Sequence, residues 1–388
     1  MTTPLSCFND VDWLSANTTI SGAIQKSIVF SVSATDGLSS ASLQRVIVVV
    51  GPSSAPPLSL LLKHTPASDF AREFGLAREA LFYKSLSDLC RFSPAFSLPN
   101  CYFAEGDVDT GKKTLLLERV VGVQIGAYFG AGSPLNWGKD LEAACAEGIT
   151  GVDAETVTAA AFAAAAALHA SFWRSPCLLE HSWLTRDEVS WNIAQRRAAT
   201  SWFTSSRALP TDNGVIWNPR LVALVDASLS KTSWAVHEAG DTRARATRGD
   251  HFTLLHGDFH PANIIFSLTK KIILLDWEAV RSGSGGAQEL GQFVISHMSP
   301  SLRRIGERQR VEAYYTALCD ACPQVAKDYA FENAWIDYTF GGAERWVWLL
   351  ALLTGICEPV MVQYFHDQLL AFCDDHKIGS QNIGMPRV

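Results

Sequence analysis

The chain has 388 residues, of which 48% are hydrophobic and 18% charged. This length gives room for two domains or two lobes with apolar cores, and the composition excludes a disordered or fibrous chain. The net charge of −7 at pH 7 argues against a basic surface for nucleic acid or an anionic membrane.

The first 120 residues have a β-rich pattern with one inserted helix. Strands are predicted at Gln44–Val50, Leu58–Lys63, Asn100–Glu105 and Thr114–Val120. Between the second and third of these strands, Asp69–Leu89 has apolar residues near one helical face and acids in its first turn, which predicts a single helix. We therefore expect an antiparallel sheet in residues 1–120.

Residues 121–388 have mainly helical periodicity, interrupted by one β-like segment from Phe252 to Asp276. The predicted fold class is α+β, with a small antiparallel-sheet lobe at 1–120 and a large, mainly helical lobe at 121–388. The longest apolar tract, Ala159–Leu168, is about half the length that a membrane span needs. The first 13 residues lack a basic start followed by an apolar run, so no signal peptide is expected.

The cysteines form an odd, scattered set of nine, unlike a secreted disulfide scaffold. They are expected to be reduced thiols, which favours a cytoplasmic location. Cys319 and Cys322 form a lone C-x-x-C with no second pair at zinc spacing, so a metal or redox role for that pair is the weaker interpretation and its role stays open.

Three oxygen-bearing side chains stand out between Leu254 and Gly286. Asn263 follows five residues after Asp258, and Asp276 ends an apolar strand eighteen residues after Asp258. A loop followed by a hairpin is expected to bring these groups around one point, and hard oxygen ligands suit Mg²⁺.

The same loop permits a different interpretation. His256, Asp258 and His260 stand at alternate positions, which is compatible with the ligands of a hydrolytic zinc centre. Asn263 and Asp276 have no natural place in that scheme, so the zinc centre is the weaker hypothesis.

The loop contains the pattern H-G-D-x-H-x-x-N, and an apolar-D-W-E pattern follows at Leu274–Glu278. Together they resemble the aminoglycoside phosphotransferase and choline kinase group, the small-molecule branch of the protein-kinase-like fold. The resemblance implies a bilobal kinase that uses ATP and Mg²⁺. It also implies that Asp258 orients the acceptor hydroxyl and accepts its proton, while Asn263 and Asp276 hold the metal ion.

A kinase of this fold also needs a strand lysine for the phosphates and a helix acid that positions it. Lys63 ends the strand SLLLK, and Glu79 precedes Phe82 and Tyr83 on the following helix, as in the family pattern. Glu73 is the competing partner for the lysine.

Two further segments are expected to contact the nucleotide. Residues 35–42 lie between β-like runs and offer Gly37, Ser39 and Ser40 to the phosphates, although a plain polar hairpin fits nearly as well. Glu118 and Val120, with Arg119 between them, resemble the hinge that binds adenine through backbone groups.

The remaining family features depart from the pattern or lie in the helical part. Glu289 stands where the family usually has an aspartate, and His169 in L-H-A-x-F-W is expected to be structural. Aromatic residues that are candidates for the acceptor pocket are Trp335, Tyr338, Phe340, Trp346 and Trp348. An aromatic stripe at helical spacing more often belongs to a core.

The sequence thus predicts an ATP-dependent kinase that phosphorylates a hydroxyl of a small molecule. The alternatives are a catalytically silent nucleotide-binding protein of the same fold and the His/Asp metal-dependent hydrolase. No nucleic-acid or membrane partner is expected, and the acceptor and the oligomeric state stay open.

Overall fold

The computed structural model describes residues 5–31, 42–51, 56–90, 93–185, 188–209, 214–230, 241–284 and 286–383. The chain divides into two compact units. The first unit comprises Met1–Phe92, Ser97–Val121 and Ile273–Ala279, and the second comprises Ser93–Phe96, Gly122–Ile272 and Val280–Val388. A short segment that includes Asp276 thus packs within the first unit, far along the chain from the rest of it.

The strands are β1 (Ile24–Ser31), β2 (Ser42–Val50), β3 (Leu58–Thr65), β4 (Phe96–Ser97), β5 (Cys101–Gly106), β6 (Lys113–Glu118), β7 (Val123–Gln124), β8 (Thr253–Leu255), β9 (Ile264–Phe266), β10 (Ile272–Leu274) and β11 (Arg281–Gly283). Five of them form an antiparallel sheet in the order β1-β2-β3-β6-β5 within the first unit. All four strands predicted in this part of the chain are confirmed. In the second unit β7 pairs with β9 and β8 with β11, both antiparallel.

The helical segment after β3 differs from its prediction. The helices of the first unit are Val11–Asn17, Asp69–Glu73, Arg78–Ser85 and Ser87–Cys90. A single helix over residues 69–89 was therefore the wrong prediction. Gly75 has φ of 65°, a left-handed conformation that interrupts the first turns. Arg78 stabilises the break, because its Nε donates to the Gly75 carbonyl at 3.1 Å and its guanidinium to the Phe74 carbonyl at 3.2 Å.

The amino-terminal segment covers part of the sheet. Residues Leu5–Asn9 form a 3₁₀ helix, and the following helix is capped by Asp10, whose carboxylate accepts the Asp12 and Trp13 amides. Phe8 and Leu14 are fully buried in the same core as the inward side chains of β2 and β3. The sheet face is therefore closed by apolar burial.

The second unit is mainly helical, which confirms the α+β class. Its helices are Leu141–Ala146, Ala154–Ser171, Cys177–Glu180, Ser182–Thr185, Glu188–Arg207, Pro219–Ser230, Asp241–Arg248, Gln288–His297, Pro300–Arg304, Glu307–Ala321, Val325–Asp328, Phe331–Ile336, Gly342–Leu353 and Pro359–Asp375, with a π-helical turn at Asp337–Gly341. Over the described residues, none of the helices is both long and apolar enough to cross a bilayer.

Two helices of the second unit cross at glycine. A Cβ added to Gly291 would lie 2.7 Å from the Cα of Gly342 and 2.4 Å from the Tyr338 carbonyl oxygen. Because neither glycine carries a side chain, Gln288–His297 and Gly342–Leu353 approach closely. This contact places Gln292 and Arg345 next to each other.

Candidate active site

A buried cluster of charged residues lies in the first unit, on one side of the sheet. The Nζ of Lys63, on β3, lies 2.8 Å from Asp276 Oδ1, 2.9 Å from Glu79 Oε2 and 3.0 Å from Glu278 Oε1. Lys63 and Glu79 are buried, whereas the Asp276 side chain is 37% exposed. The predicted lysine, helix acid and strand-end aspartate are therefore in direct contact. Glu73, the competing acid, lies 3.9 Å from Arg72.

A second lysine takes part in the same cluster. Lys113, the first residue of β6, is fully buried, and its Nζ bonds to Glu79 Oε2 and Glu278 Oε1. In the β3–β6 ladder Lys63 faces Leu115 and Thr65 faces Lys113. Since alternate residues of a strand share a face, both lysines project from the same side of the sheet.

The charges in the cluster shift the pKa values of its members. The pKa of Asp276 is raised to about 6, because desolvation of this partly buried carboxylate and the nearby Glu278 and Glu79 outweigh the attraction of Lys63. Burial opposes the charge on Lys63, yet the carboxylates around it raise the pKa of this ammonium well above its usual value. Burial likewise opposes ionisation of Glu79, but Lys113 and Lys63 lower its pKa.

Local structure after β10 presents Asp276 to this cluster. Asp276 has φ of 61°, a left-handed conformation that aspartate tolerates better than most side chains. The next residue, Trp277, is fully buried and stacks on Phe82, with ring centroids 3.9 Å apart. The tryptophan of the D-W-E pattern thus fixes the segment against the helix that carries Glu79.

The catalytic-loop residues predicted from the H-G-D-x-H-x-x-N pattern lie in the second unit. Asn263 Nδ2 donates to the carboxylate of Asp258 at 3.0 Å and to its backbone carbonyl at 3.1 Å. His260 Nε2 lies 3.3 Å from the same carboxylate oxygen, and Gln292 Nε2 donates to the other oxygen at 2.8 Å. The Asp258 side chain is 34% exposed, so one edge of a firmly held carboxylate faces solvent.

The surroundings of Asp258 favour its ionised form. Burial opposes ionisation, but His260, Arg345 and His256 lower the pKa of Asp258 well below its usual value. Asp258 is therefore an anion at neutral pH. A carboxylate of this kind is a weak base and a strong hydrogen-bond acceptor.

Glu289 holds the backbone of the loop that carries Asp258. Its carboxylate accepts the backbone N–H groups of His256 at 3.1 Å and Gly257 at 2.6 Å, and it contacts His169 Nε2 at 3.0 Å. His169 in turn contacts the Tyr314 hydroxyl at 2.8 Å. Glu289 is thus a structural acid in the position where the family pattern has aspartate, and His169 is structural as predicted.

Other predicted site residues have less definite surroundings. Glu118 ends β6, and its carboxylate accepts the backbone and side-chain N–H groups of Asn100 at 3.2 and 2.7 Å. Val120 lies two residues beyond that strand. Gly37, Ser39 and Ser40 lie outside the described residues.

Most of the predicted acceptor-pocket aromatics are core residues. Tyr338, Trp346 and Trp348 are buried. The Tyr338 hydroxyl donates to Glu307 at 2.6 Å, and Trp346 Nε1 donates to the Gln292 carbonyl at 2.9 Å. Trp335 and Phe340 are partly buried.

Four residues of these clusters have no role in the sequence prediction: Lys113, Glu278, Gln292 and Arg345. Arg345 donates to the Gly257 carbonyl and, at 3.4 Å, to Gln292 Oε1. The sequence contains one signal for Glu278 and for a second lysine. Glu278 follows Asp276 by two residues, and Lys63 alone cannot balance the charges of three acids. Finding Lys113 required the register of β3 and β6.

Part of the chain matches a known protein family. Residues 218–326, less than half of the chain, match the model of the ecdysteroid kinase-like family. The matched segment contains Asp258, Asn263 and Asp276. No curated protein sequence matches the chain.

Solved structures that match the chain include small-molecule kinases. Choline kinase from Cryptosporidium parvum has a TM-score of 0.51 at 10% identity, covering 90% of this chain and 89% of that one. Ethanolamine kinase from Plasmodium vivax has a TM-score of 0.46 at 10% identity, covering 89% and 82%. An aminoglycoside phosphotransferase from Alicyclobacillus acidocaldarius has a TM-score of 0.43 at 12% identity, covering 99% and 96%.

The fold of the chain is similar to that of choline kinase, and the segment that carries the loop is similar to the ecdysteroid kinase-like family. The resemblance predicted from the loop pattern is therefore confirmed.

Proposed function

We propose that the protein is a magnesium-dependent kinase that transfers the γ-phosphate of ATP to a hydroxyl of a small molecule. The observation that carries this proposal is the contact of Lys63 with both Glu79 and Asp276. A strand lysine held by a helix acid and next to a metal-binding aspartate is what kinases use for nucleotide phosphates.

The donor set fits Mg²⁺. Carboxylate oxygens of Glu79, Asp276 and Glu278 lie within 4.8 Å of one another. The two lysines already bond to both glutamates, whereas Asp276 is bonded through Oδ1 and is the most exposed of the three. Asn263 offers its Oδ1, because both of its hydrogen bonds to Asp258 use Nδ2. We propose Asp276 and Asn263 as the metal ligands; when bound, Mg²⁺ neutralises charge on the transferring phosphates.

Lys63 and the segment Glu118–Val120 are the other proposed contacts to the nucleotide. Lys63 is charged at neutral pH, because the carboxylates around it raise its pKa, so it can bind phosphate oxygens. Glu118 and Val120 are proposed to offer backbone groups to adenine. Gly37, Ser39 and Ser40 remain predicted phosphate contacts, and the cytoplasmic location remains a prediction.

Asp258 is proposed to act on the acceptor. Its carboxylate accepts a hydrogen bond from the acceptor hydroxyl and so aims the oxygen at the γ-phosphorus. As the new oxygen–phosphorus bond forms and the bond to ADP breaks, the hydroxyl becomes acidic and its proton passes to Asp258. Because the pKa of Asp258 is lowered, this transfer is expected late in the reaction, and orientation supplies most of its effect.

The hydrolase alternative has less support. The Asp258 amide donates to His256 Nδ1 at 3.3 Å, and the Ala262 amide to His260 Nδ1 at 3.3 Å, so these lone pairs are already used. In the part of the chain that the structure describes, the carboxylate group of Glu79, Asp276 and Glu278 is the one with metal-binding spacing.

Asp258→Asn tests the proposal. The protein and Mg-ATP are incubated with a library of small alcohols, and mass spectrometry identifies compounds that gain a phosphate. We expect the wild-type protein to phosphorylate at least one of them and Asp258→Asn to lose roughly 10³-fold or more in rate, with Mg-ATP binding retained in a thermal-shift assay. Asp226→Asn, a surface exchange of the same type, serves as the control. Equal turnover by Asp258→Asn and the wild type would contradict the role of Asp258.

A further inference from the structure

The charged cluster of the first unit, which we call the lysine cluster, consists of Lys63, Lys113, Glu79, Asp276 and Glu278. It contains one cation more than the proposed kinase chemistry uses. Lys63 supplies the contact to phosphates and to Asp276. Lys113 is 0% exposed, comes from the neighbouring strand and bonds to Glu79 and Glu278. A buried ammonium is costly unless its partners compensate it, so this residue needs an explanation.

The two lysines share the same oxygen atoms. Glu79 Oε2 bonds to both Lys63 and Lys113, and so does Glu278 Oε1. Asp276 contacts Lys63 through Oδ1. Three carboxylates and two ammonium groups leave the cluster with one formal negative charge.

Because Lys63 and Lys113 contact the same oxygen atoms of Glu79 and Glu278, Lys113 can compensate these carboxylates when Lys63 moves. If Lys63 turns from the glutamates towards nucleotide phosphates, Glu79 and Glu278 keep a cationic partner in Lys113. Without that partner, the departure of Lys63 would leave two buried carboxylates uncompensated, at a high desolvation cost.

We propose that Lys113 is a positioning residue that holds Glu79 and Glu278 in place of Lys63 and thereby frees Lys63 to bind the phosphates of Mg-ATP. This inference rests on the proposed kinase function. Its structural basis lies entirely in the first unit, where Lys113 joins the helix that carries Glu79 to the segment that follows Asp276.

Lys113→Met tests the proposal through two binding measurements. The three carboxylates then compete for Lys63 alone, so the Kd for Mg-ATP is expected to rise on the order of tenfold. The more negative cluster should meanwhile bind Mg²⁺ alone more tightly than the wild type does. Both are measured by calorimetry and thermal shift, and in turnover the KM for ATP should rise more than kcat falls. Lys112→Met, the same exchange one residue away, should change neither affinity.

Opposite changes in the two affinities separate this role from simple damage. If Lys113→Met weakens Mg-ATP and Mg²⁺ binding in parallel, or leaves Mg-ATP binding unchanged, the proposal is wrong. If the variant does not fold, Lys113→Met/Glu278→Gln, which restores the formal charge of the cluster, replaces it and should bind Mg-ATP within about threefold of the wild type. A loss of more than about threefold in that folded double variant would overturn the proposal. Absence of any Mg-ATP binding by the wild type would instead refute the proposed function.

Discussion

The carboxylate of Asp258 is held on both of its oxygens. Gln292 donates to Oδ1, and Asn263 donates to Oδ2. Gln292 is itself fixed, because its Oε1 accepts from Arg345 and its backbone carbonyl from Trp346. The lone pairs that remain on Asp258 therefore point in a defined direction, which is what orienting a hydroxyl requires.

Gln292→Leu should lower kcat. The exchange removes the donor to Oδ1, so the Asp258 carboxylate can rotate, and a misdirected group of this kind costs about tenfold to a hundredfold in rate. The affinity for Mg-ATP should stay near that of the wild type, since Gln292 is not part of the lysine cluster. Kinetics with a saturating acceptor would measure the change.

The matched control is Gln288→Leu, at a buried glutamine one turn earlier on the same helix. It should retain most of the wild-type kcat. An equal loss of rate in both variants would show general damage to the helix and refute the orienting role of Gln292.

Single residues were predictable from sequence where a local pattern carries them. Asp258, Asn263 and Asp276 stand in two short motifs, and the structure finds Lys63 next to Glu79 as expected. Lys113 has no such motif. Its contacts depend on which strand lies beside β3 and in what register, and these are long-range facts.

The loop that carries Asp258 is held in place by a buried carboxylate. Glu289 accepts two consecutive backbone amides of the loop and contacts His169. Burial opposes its charge, but His169, His256 and the Gly257 amide lower the pKa of Glu289. Its ionised form therefore stabilises the fold at pH values above the unfolded-state pKa, and this contribution is lost as pH falls through the lower folded-state value.

Glu289→Gln should lower the free energy of unfolding at pH 7 by roughly 3 kcal/mol, because charged, buried hydrogen bonds are lost. Below about pH 4.5, where the wild type also loses this contribution, the difference between the two proteins should shrink. Denaturant unfolding between about pH 3.5 and about pH 7 would measure the difference, because this interval includes the pKa of a free glutamate. Glu312→Gln, at an exposed i,i+4 pair, is the control, and a difference that is independent of pH would contradict the assignment.

Elements were predictable where the apolar period is regular. The short apolar runs of the first sheet predicted its strands, and the long Ala154–Ser171 helix follows its alanine-rich pattern. The predicted helix at 69–89 failed because Gly75 and the Arg78 guanidinium end its first turns. Such breaks depend on backbone contacts that periodicity does not encode.

At the scale of the whole molecule, the lysine cluster joins distant parts of the chain. Lys63 and Asp276 are 213 residues apart, and the segment Ile273–Ala279 packs with the first unit although its neighbours on both sides belong to the second. The α+β class followed from the change of pattern along the sequence. The packing of the short segment around Asp276 within the first unit could not be predicted from that pattern. It depends on tertiary contacts such as the Trp277–Phe82 stack.

The central claim is that Asp276 binds the metal ion of Mg-ATP, and its most direct test is the thermal stabilisation of the wild type and Asp276→Ala by ATP with and without Mg²⁺. Desolvation and the neighbouring glutamates raise the pKa of Asp276 to about 6, so at about pH 7.5 Asp276 is ionised in the folded protein at a cost in stability, and its removal should not lower the melting temperature of the ligand-free protein. We predict a magnesium-dependent shift in the wild type that is absent in a folded Asp276→Ala. An equal shift in both proteins would contradict the account.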